Sequence, residues 1–121
     1  MTKSTYNDLI TGAITACQNR NADDFTSLFT VDAQIQLDSQ TNLDRSQIYP
    51  ITKDYFKQLK FIKIDVIAIA INEGEKTAFI EWVWTDFNLQ KDKENSHQNT
   101  IVLEFKDNLI YRWREYRMQN K

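Results

Sequence analysis

Glycine and proline are scarce in this sequence, which has two glycines and one proline among its 121 residues. This scarcity excludes collagen-like repeats and glycine- or proline-rich disordered chains. It also leaves no glycine-rich loop to hold the phosphates of a nucleotide, so no cofactor is predicted. Hydrophobic residues make up 41% of the chain, which is long enough for one core and too short for two ordinary domains. We therefore expect a single domain over residues 1–121.

Residues that bind metals or form disulfides are equally scarce. The single cysteine, Cys17, excludes an internal disulfide and any site built from several cysteines. Because it falls on the apolar stripe of the first predicted helix, we expect a small buried hydrophobic side chain. The single histidine, His97, has no second histidine or cysteine nearby and is interpreted as an ordinary residue at a strand end. No metal site is predicted.

Charge and hydropathy limit the partners. Fifteen basic and seventeen acidic residues give a net charge of -2, and the basic residues are scattered, so nucleic acid is not an expected partner. The longest apolar run, residues 66–71, is far shorter than the roughly 20 residues of a membrane helix. The first residues, MTKSTYNDLI, lack the apolar stretch of a signal peptide. We expect a cytoplasmic protein with no membrane contact.

Three helices are predicted in the first half of the chain. Thr5 and Asp8 have the spacing of a capping box, and apolar residues then recur at helical intervals as far as Cys17. Asn21 can cap a second, shorter helix that ends near Thr30. A third helix is expected to begin near Pro50, since proline is tolerated in a first helical turn. Its inward residues would be Ile51, Tyr55, Phe56 and Leu59.

Strand patterns dominate the second half. Residues 33–37, AQIQL, alternate as a short strand does, and the polar stretch DSQTNLD after them is typical of a loop. Beyond Phe61, four long segments with strand patterns are separated by short turns. Short connections predict antiparallel neighbours, because parallel strands need long crossovers. Helices followed by a sheet predict the α+β class.

Three segments resemble one family. They are NADDFTSLFTVDAQI at residues 21–35, IYPITKDYFKQL at residues 48–59 and FKDNLIYRWREY at residues 105–116. In this order they resemble the nuclear transport factor 2-like superfamily, and the last one resembles its SnoaL-like branch. The resemblance implies a cone-shaped, cystatin-like fold, with three N-terminal helices packed on a curved antiparallel sheet around a pocket. Members of the superfamily include isomerases, cyclases, dehydratases and dimerisation modules, so this fold does not fix the function.

The resemblance argues against two particular chemistries. The tyrosine, the base and the protonated acid of the ketosteroid isomerases would fall on Ala13, Leu37 and Ile101, none of which can perform those roles. Many SnoaL-like members carry an aspartate at the place of Met118. A cyclisation that depends on that carboxylate is therefore not expected.

The last hairpin decides which residues face the implied pocket. A three-residue loop at residues 107–109 would place Leu103 opposite Trp113 and Ile101 opposite Glu115. A two-residue loop would instead turn the two arginines of YRWRE inward, which costs several kcal/mol without a partner. The first register is favoured. We predict ligand contacts from Tyr55, Asn99, Leu103, Tyr111 and Trp113.

The segment AFIEWVWTDF, residues 78–87, has two partly apolar faces, and either could point into the implied pocket. The resemblance favours placing Glu81 inward, where Glu81 and Glu115 would be two candidate catalytic acids with raised pKa values. The alternative is that each glutamate is a structural partner of an arginine or a tyrosine. Ile80, Trp82 and Trp84 would then form an outer apolar band that a homodimer covers. In the reversed register they would line the pocket instead.

Three functions stay open at this stage. The chain is interpreted first as a SnoaL-like protein that binds a small apolar molecule. The alternatives are a cofactor-free isomerase, cyclase or dehydratase that uses pocket carboxylates, and a dimeric interaction module without chemistry.

Overall fold

The structure is a computed structural model that describes the backbone of residues 3–118 and the side chains of residues 5–118. It has three helices and six strands, in the order α1 (Lys3–Gln18), α2 (Ala22–Thr26), β1 (Phe29–Gln36), β2 (Asn42–Asp44), α3 (Arg45–Lys57), β3 (Leu59–Asn72), β4 (Thr77–Asn88), β5 (Lys93–Lys106) and β6 (Leu109–Arg117). No helix within residues 3–118 has the length and apolar character needed to cross a membrane.

All six strands belong to one sheet, in the order β2-β1-β6-β5-β4-β3. The predicted antiparallel meander of the last four strands is confirmed. The sheet as a whole is mixed, because β1 pairs in parallel with β6. A parallel pair requires a long connection, and here α3 and four strands lie between the two partners along the chain.

The first two helices pack on one face of the sheet, which we call the inner face. The buried side of α1 includes Ile10 and Cys17, as its apolar spacing predicted, and Tyr6 stacks on Phe105 of β5 with 4.1 Å between ring centroids. The helix begins at Lys3, so the predicted capping box does not mark its start.

The second helix is capped as predicted, since the side chain of Asn21 accepts a hydrogen bond from the backbone N–H of Asp24 at 3.0 Å. This helix ends at Thr26, before the predicted end near Thr30, and Phe29 already belongs to β1. Both phenylalanines of the segment, Phe25 and Phe29, are still buried against the ring of Trp113.

The third helix corrects the prediction most. It begins at Arg45, where Asp44 and Gln47 form a capping box, and Pro50 lies inside it. Residues of the predicted polar loop form β2, which pairs with β1 and ends at that cap. The expected inward set is only partly buried, because Ile51 and Tyr55 are 42% and 39% exposed. Thus two helices precede the sheet, and α3 lies between β2 and β3.

The β5–β6 hairpin has the two-residue loop together with the strand pairing that was predicted for a three-residue loop. Its turn has two residues, Asp107 and Asn108, whose φ angles of 54° and 66° are those of a type I′ turn. A bulge follows, at Tyr111, which shifts the pairing by one residue. Leu103 therefore pairs with Trp113, as predicted, although the predicted loop length was wrong.

The face assignment of β4 was wrong. Ile80, Trp82 and Trp84 are buried under the helices, at 1%, 1% and 9% exposure, whereas Phe79 on the opposite face is 47% exposed. These three side chains therefore cannot be the predicted dimer interface. The physical reason is that the strand buries its larger apolar stripe against the helices. The observed orientation is the reversed register that the sequence analysis left open.

Candidate functional site

Polar side chains meet aromatic ones at one end of the inner face. There the C-terminal half of β4 lies beside the N-terminal half of β5 and the end of β6. The ladder sets Trp82 opposite Asn99, and Ile101 opposite Glu115. We call this group the aromatic–acid cluster; its members are Tyr55, Trp82, Trp84, Asp86, Asn99, Trp113 and Glu115.

Asp86 is the most buried acid of the cluster, at 4% exposure. The hydroxyl of Tyr55 and the indole N–H of Trp84 both donate to its Oδ2, each at 2.9 Å. Burial, and then the nearby Asp86 charge, raise the pKa of Tyr55, which therefore keeps its proton and remains a donor. Helix α3 and strand β4 are thereby joined through one carboxylate oxygen.

Glu115 is the second acid and is half-buried. Its Oε1 accepts a hydrogen bond from the indole N–H of Trp113 at 3.0 Å. Desolvation raises the pKa of this carboxyl above its ordinary value, although the bond from Trp113 and the charge of Arg117 partly oppose the rise. A carboxyl whose pKa is raised above its ordinary value is a candidate for exchanging a proton with a bound molecule.

Two buried polar atoms of the cluster have no hydrogen-bond partner among the described residues. They are Nε1 of Trp82, which can only donate, and Oδ1 of Asn99, which accepts. Their side chains are 1% and 3% exposed and face each other across β4 and β5. An unpaired buried polar atom costs about 1–3 kcal/mol, so this pair is suited to a ligand that supplies the missing partners.

The rim of the cluster is formed by His97 and Arg117. Nη2 of Arg117 lies 3.2 Å from Nε2 of His97. Desolvation, and then the charge of Arg117, lower the pKa of His97, so its ring is neutral at pH 7. The rim therefore carries its positive charge on the exposed guanidinium and not on the imidazole.

The structure brings together four of the residues proposed from the sequence: Tyr55, Asn99, Trp113 and Glu115. Leu103 lies deeper in the core, at 1% exposure, opposite Trp113.

Two other residues proposed from the sequence lie elsewhere. Glu81 is on the outer face, where it accepts a hydrogen bond from Nε2 of Gln98 at 3.1 Å, so the predicted pair of catalytic acids, Glu81 with Glu115, is not formed. Tyr111 is also displaced, because the bulge turns its ring toward the ammonium of Lys106, 4.9 Å from the ring centroid.

Sequence reasoning missed Asp86 as the second acid. Asp86 shares a face of β4 with Trp82 and Trp84, so the outward orientation that the resemblance favours for that face excludes it from the site. The signal that could have found it was the apolar stripe itself, since Ile80, Trp82 and Trp84 together bury far more apolar surface than Glu81 and its neighbours.

Cavities of appreciable size lie elsewhere on the molecule. One of about 450 Å³ separates the α1–α2 turn from α3, and one of about 410 Å³ lies between α1 and α2. Neither is lined by a member of the aromatic–acid cluster. Within residues 3–118, no three His, Cys, Asp or Glu side chains converge as metal ligands do.

Comparison with known proteins gives one family and several structures. The model of the family described as SnoaL-like domain matches residues 7–118. Comparison with curated proteins finds no match. A proposed isomerase from Bacillus subtilis has a TM-score of 0.85 at 16% identity, covering 98% of this chain and 90% of that one.

Two further structures show how varied such relatives are. The pinacolase from Penicillium brevicompactum has a TM-score of 0.79 at 14% identity, covering 93% of this chain and 87% of that one. A hypothetical protein from Catenulispora acidiphila, with a ketosteroid isomerase-like fold and in complex with trimethylamine, has a TM-score of 0.78 at 14% identity, covering 89% and 83%. At these identities the likeness shows the fold alone.

Proposed function

This chain belongs to the SnoaL-like domain family, and from that premise we propose that it binds a small, mainly apolar molecule within the aromatic–acid cluster. The observation that carries the proposal is the unpaired couple of Trp82 Nε1 and Asn99 Oδ1, both buried among indole rings. Ligand sites in proteins are mostly apolar and hold a few convergent polar groups, and the cluster has this composition.

A second candidate function is proton transfer on the bound molecule, as in a cofactor-free isomerase, cyclase or dehydratase. Glu115 favours it, because burial raises the pKa of its carboxyl. The indole N–H of Trp82, which has no acceptor among the described residues, adds a donor. An acid that exchanges a proton and a donor that does not are the minimum equipment for such chemistry.

Binding can be measured by saturation-transfer NMR with a defined set of small alicyclic alcohols, ketones and amines. At least one compound should bind the wild type, since a fitting molecule gives partners to two buried polar atoms. Asn99→Leu removes one of these atoms and should weaken that binding by about tenfold, equivalent to about 1.4 kcal/mol.

The matched control is Gln98→Leu, next to Asn99 in sequence but paired with Glu81 on the outer face. This variant should bind the compound as the wild type does. The proposal fails if no compound binds, or if both variants weaken binding equally, since the effect would then not come from the inner face.

We also propose that the protein is a homodimer, formed through the outer face of the sheet. Phe79 and Tyr116 are 47% and 56% exposed there, and Val102 lies beside Phe79 in the ladder. Native mass spectrometry should give twice the chain mass of 14.4 kDa. Phe79→Glu should give the single chain mass, because it places a charge in the apolar contact. A monomeric wild type at micromolar concentration would overturn this proposal.

A further inference from the structure

The aromatic–acid cluster contains two carboxyl groups without a cation at ion-pair distance. The ion pairs among the described side chains are Lys63–Asp65, Lys106–Asp32 and Arg114–Glu104. None of them includes Asp86 or Glu115. Asp86 is bound only by neutral donors, the phenol of Tyr55 and the indole of Trp84.

The nearest candidate counter-ions lie at the rim. Arg117 is exposed, lowers the pKa of Glu115 through its charge and is turned toward His97. The pKa of His97 is itself lowered, so its ring carries no charge at pH 7. Buried charges in folded proteins are normally paired. A positive charge on a bound molecule would supply the pairing that the described side chains do not.

The walls of the cluster are also suited to a cation. The ring of Trp82 lies between those of Trp84 and Trp113, with centroid distances of 6.2 Å and 6.0 Å. Indole is the side chain that attracts cations most strongly through its π system, and the attraction is stronger when the site is desolvated. Apolar substituents on the cation would contact the same rings.

The two unpaired atoms define a third requirement. Nε1 of Trp82 needs an acceptor, and Oδ1 of Asn99, on the neighbouring strand of the same face, needs a donor. A hydroxyl group satisfies both, because its oxygen accepts one hydrogen bond while its proton is donated in another. A ketone or an ether would satisfy only the indole.

We infer that the molecule bound in the aromatic–acid cluster is a small organic ammonium ion with apolar substituents and a hydroxyl group. The inference rests on the proposed function and narrows it to one class of ligand. An anionic molecule is disfavoured by the same two carboxyl groups, and a neutral one leaves Asp86 without a counter-charge.

The test uses choline and 3,3-dimethylbutan-1-ol, its uncharged isostere, which has the same shape and the same hydroxyl group. Isothermal titration calorimetry on the full chain at pH 7 and low ionic strength should show that choline binds about tenfold more tightly than the isostere. Because the two molecules differ in charge and little else, this ratio isolates the contribution of the cation.

Two variants assign the effect to the carboxyl groups. Asp86→Asn and Glu115→Gln keep an oxygen that accepts the neighbouring indole N–H, so the packing should survive, as circular dichroism can verify. Each should weaken choline binding by about three- to tenfold and leave the isostere within about twofold. The control is Glu81→Gln, because Glu81 is an acid on the outer face of the strand that carries Asp86. This variant should bind choline and the isostere as the wild type does.

The outcomes separate this inference from the proposed function. Equal or tighter binding of the isostere, or no binding of choline while another compound of the NMR set binds, overturns the ammonium class and leaves small-molecule binding in place. Failure of every compound in both experiments overturns both. A choline affinity that responds equally to Glu81→Gln also overturns the inference, because the effect would then be one of net charge.

Discussion

Replacing Trp82 with alanine should lower the free energy of unfolding by about 3–5 kcal/mol, the range for buried aromatic residues. The side chain is 1% exposed and its ring contacts those of Trp84 and Trp113, so its removal leaves a cavity in the middle of the inner face. A loss of this size is a large part of the 5–15 kcal/mol that stabilises an ordinary domain. Urea unfolding followed by circular dichroism measures it.

Phe79→Ala is the matched control, since Phe79 is a large aromatic residue on the opposite face of the same strand. At 47% exposure it should cost less than about 1 kcal/mol in the monomer. A small effect at Trp82 would contradict the inward orientation of β4, and the aromatic–acid cluster would not exist.

Glu115→Gln should stabilise the protein at pH 7, by about 1–2 kcal/mol, the range for a single favourable substitution. The carboxyl is desolvated in the folded state, and its pKa is raised above the ordinary 4.5. The folded state therefore binds the proton more tightly than the unfolded state does. The stability that Glu115 contributes is fully present below pH 4.5 and is lost as the pH rises through the folded pKa.

The measurement is the difference in unfolding free energy between Glu115→Gln and the wild type, from about pH 4 to pH 8. This difference should grow in favour of the variant across the window and then become constant. The titratable groups that interact with Glu115 through charge are Arg117, Tyr55 and Cys17. Of these three, only Arg117 is a cation. A difference that does not change with pH would contradict the raised pKa.

Glu81→Gln serves as the control here as well. Its carboxyl lies on the outer face beside Gln98, and the pH profile of this variant should follow that of the wild type. If the unfolding free energies of Glu81→Gln and the wild type differ in a pH-dependent way, the loss of any carboxyl group produces the effect, whether or not that group is buried.

The family and the antiparallel order of the last four strands could be predicted because both depend on patterns that extend over many residues. Four long segments with strand patterns are separated by short turns, and the family model matches residues 7–118, which include all three segments quoted from the sequence. The register of the last hairpin also followed from a local argument, since it kept two arginines off the inner face.

The orientation of β4 could not be read with the same certainty, because both of its faces are partly apolar. Phe79, Val83 and Phe87 alternate with Ile80, Trp82 and Trp84, and a strand of this kind is oriented by what covers it. The helices cover the tryptophan face. This one choice moved Glu81 out of the candidate site and brought Asp86 into it.

The start of α3 was missed for a different physical reason. Pro50 is a strong signal for a first helical turn, yet the reciprocal hydrogen bonds of Asp44 and Gln47 satisfy donors at a helix end and so fix the start earlier. Tyr55, in the last turns of the same helix, donates to Asp86 at 2.9 Å.

The parallel pairing of β1 with β6 has a consequence for synthesis of the chain. Residues 37–108 separate these two neighbours, and the backbone N–H of Ile110 also donates to the carbonyl of Leu28 at 2.8 Å. While the ribosome is still adding residues before Leu109, β1 has only the short β2 as a neighbour in the sheet. Contacts between distant parts of a sequence form slowly. The first strand therefore gains its second neighbour only after β6 has been synthesised.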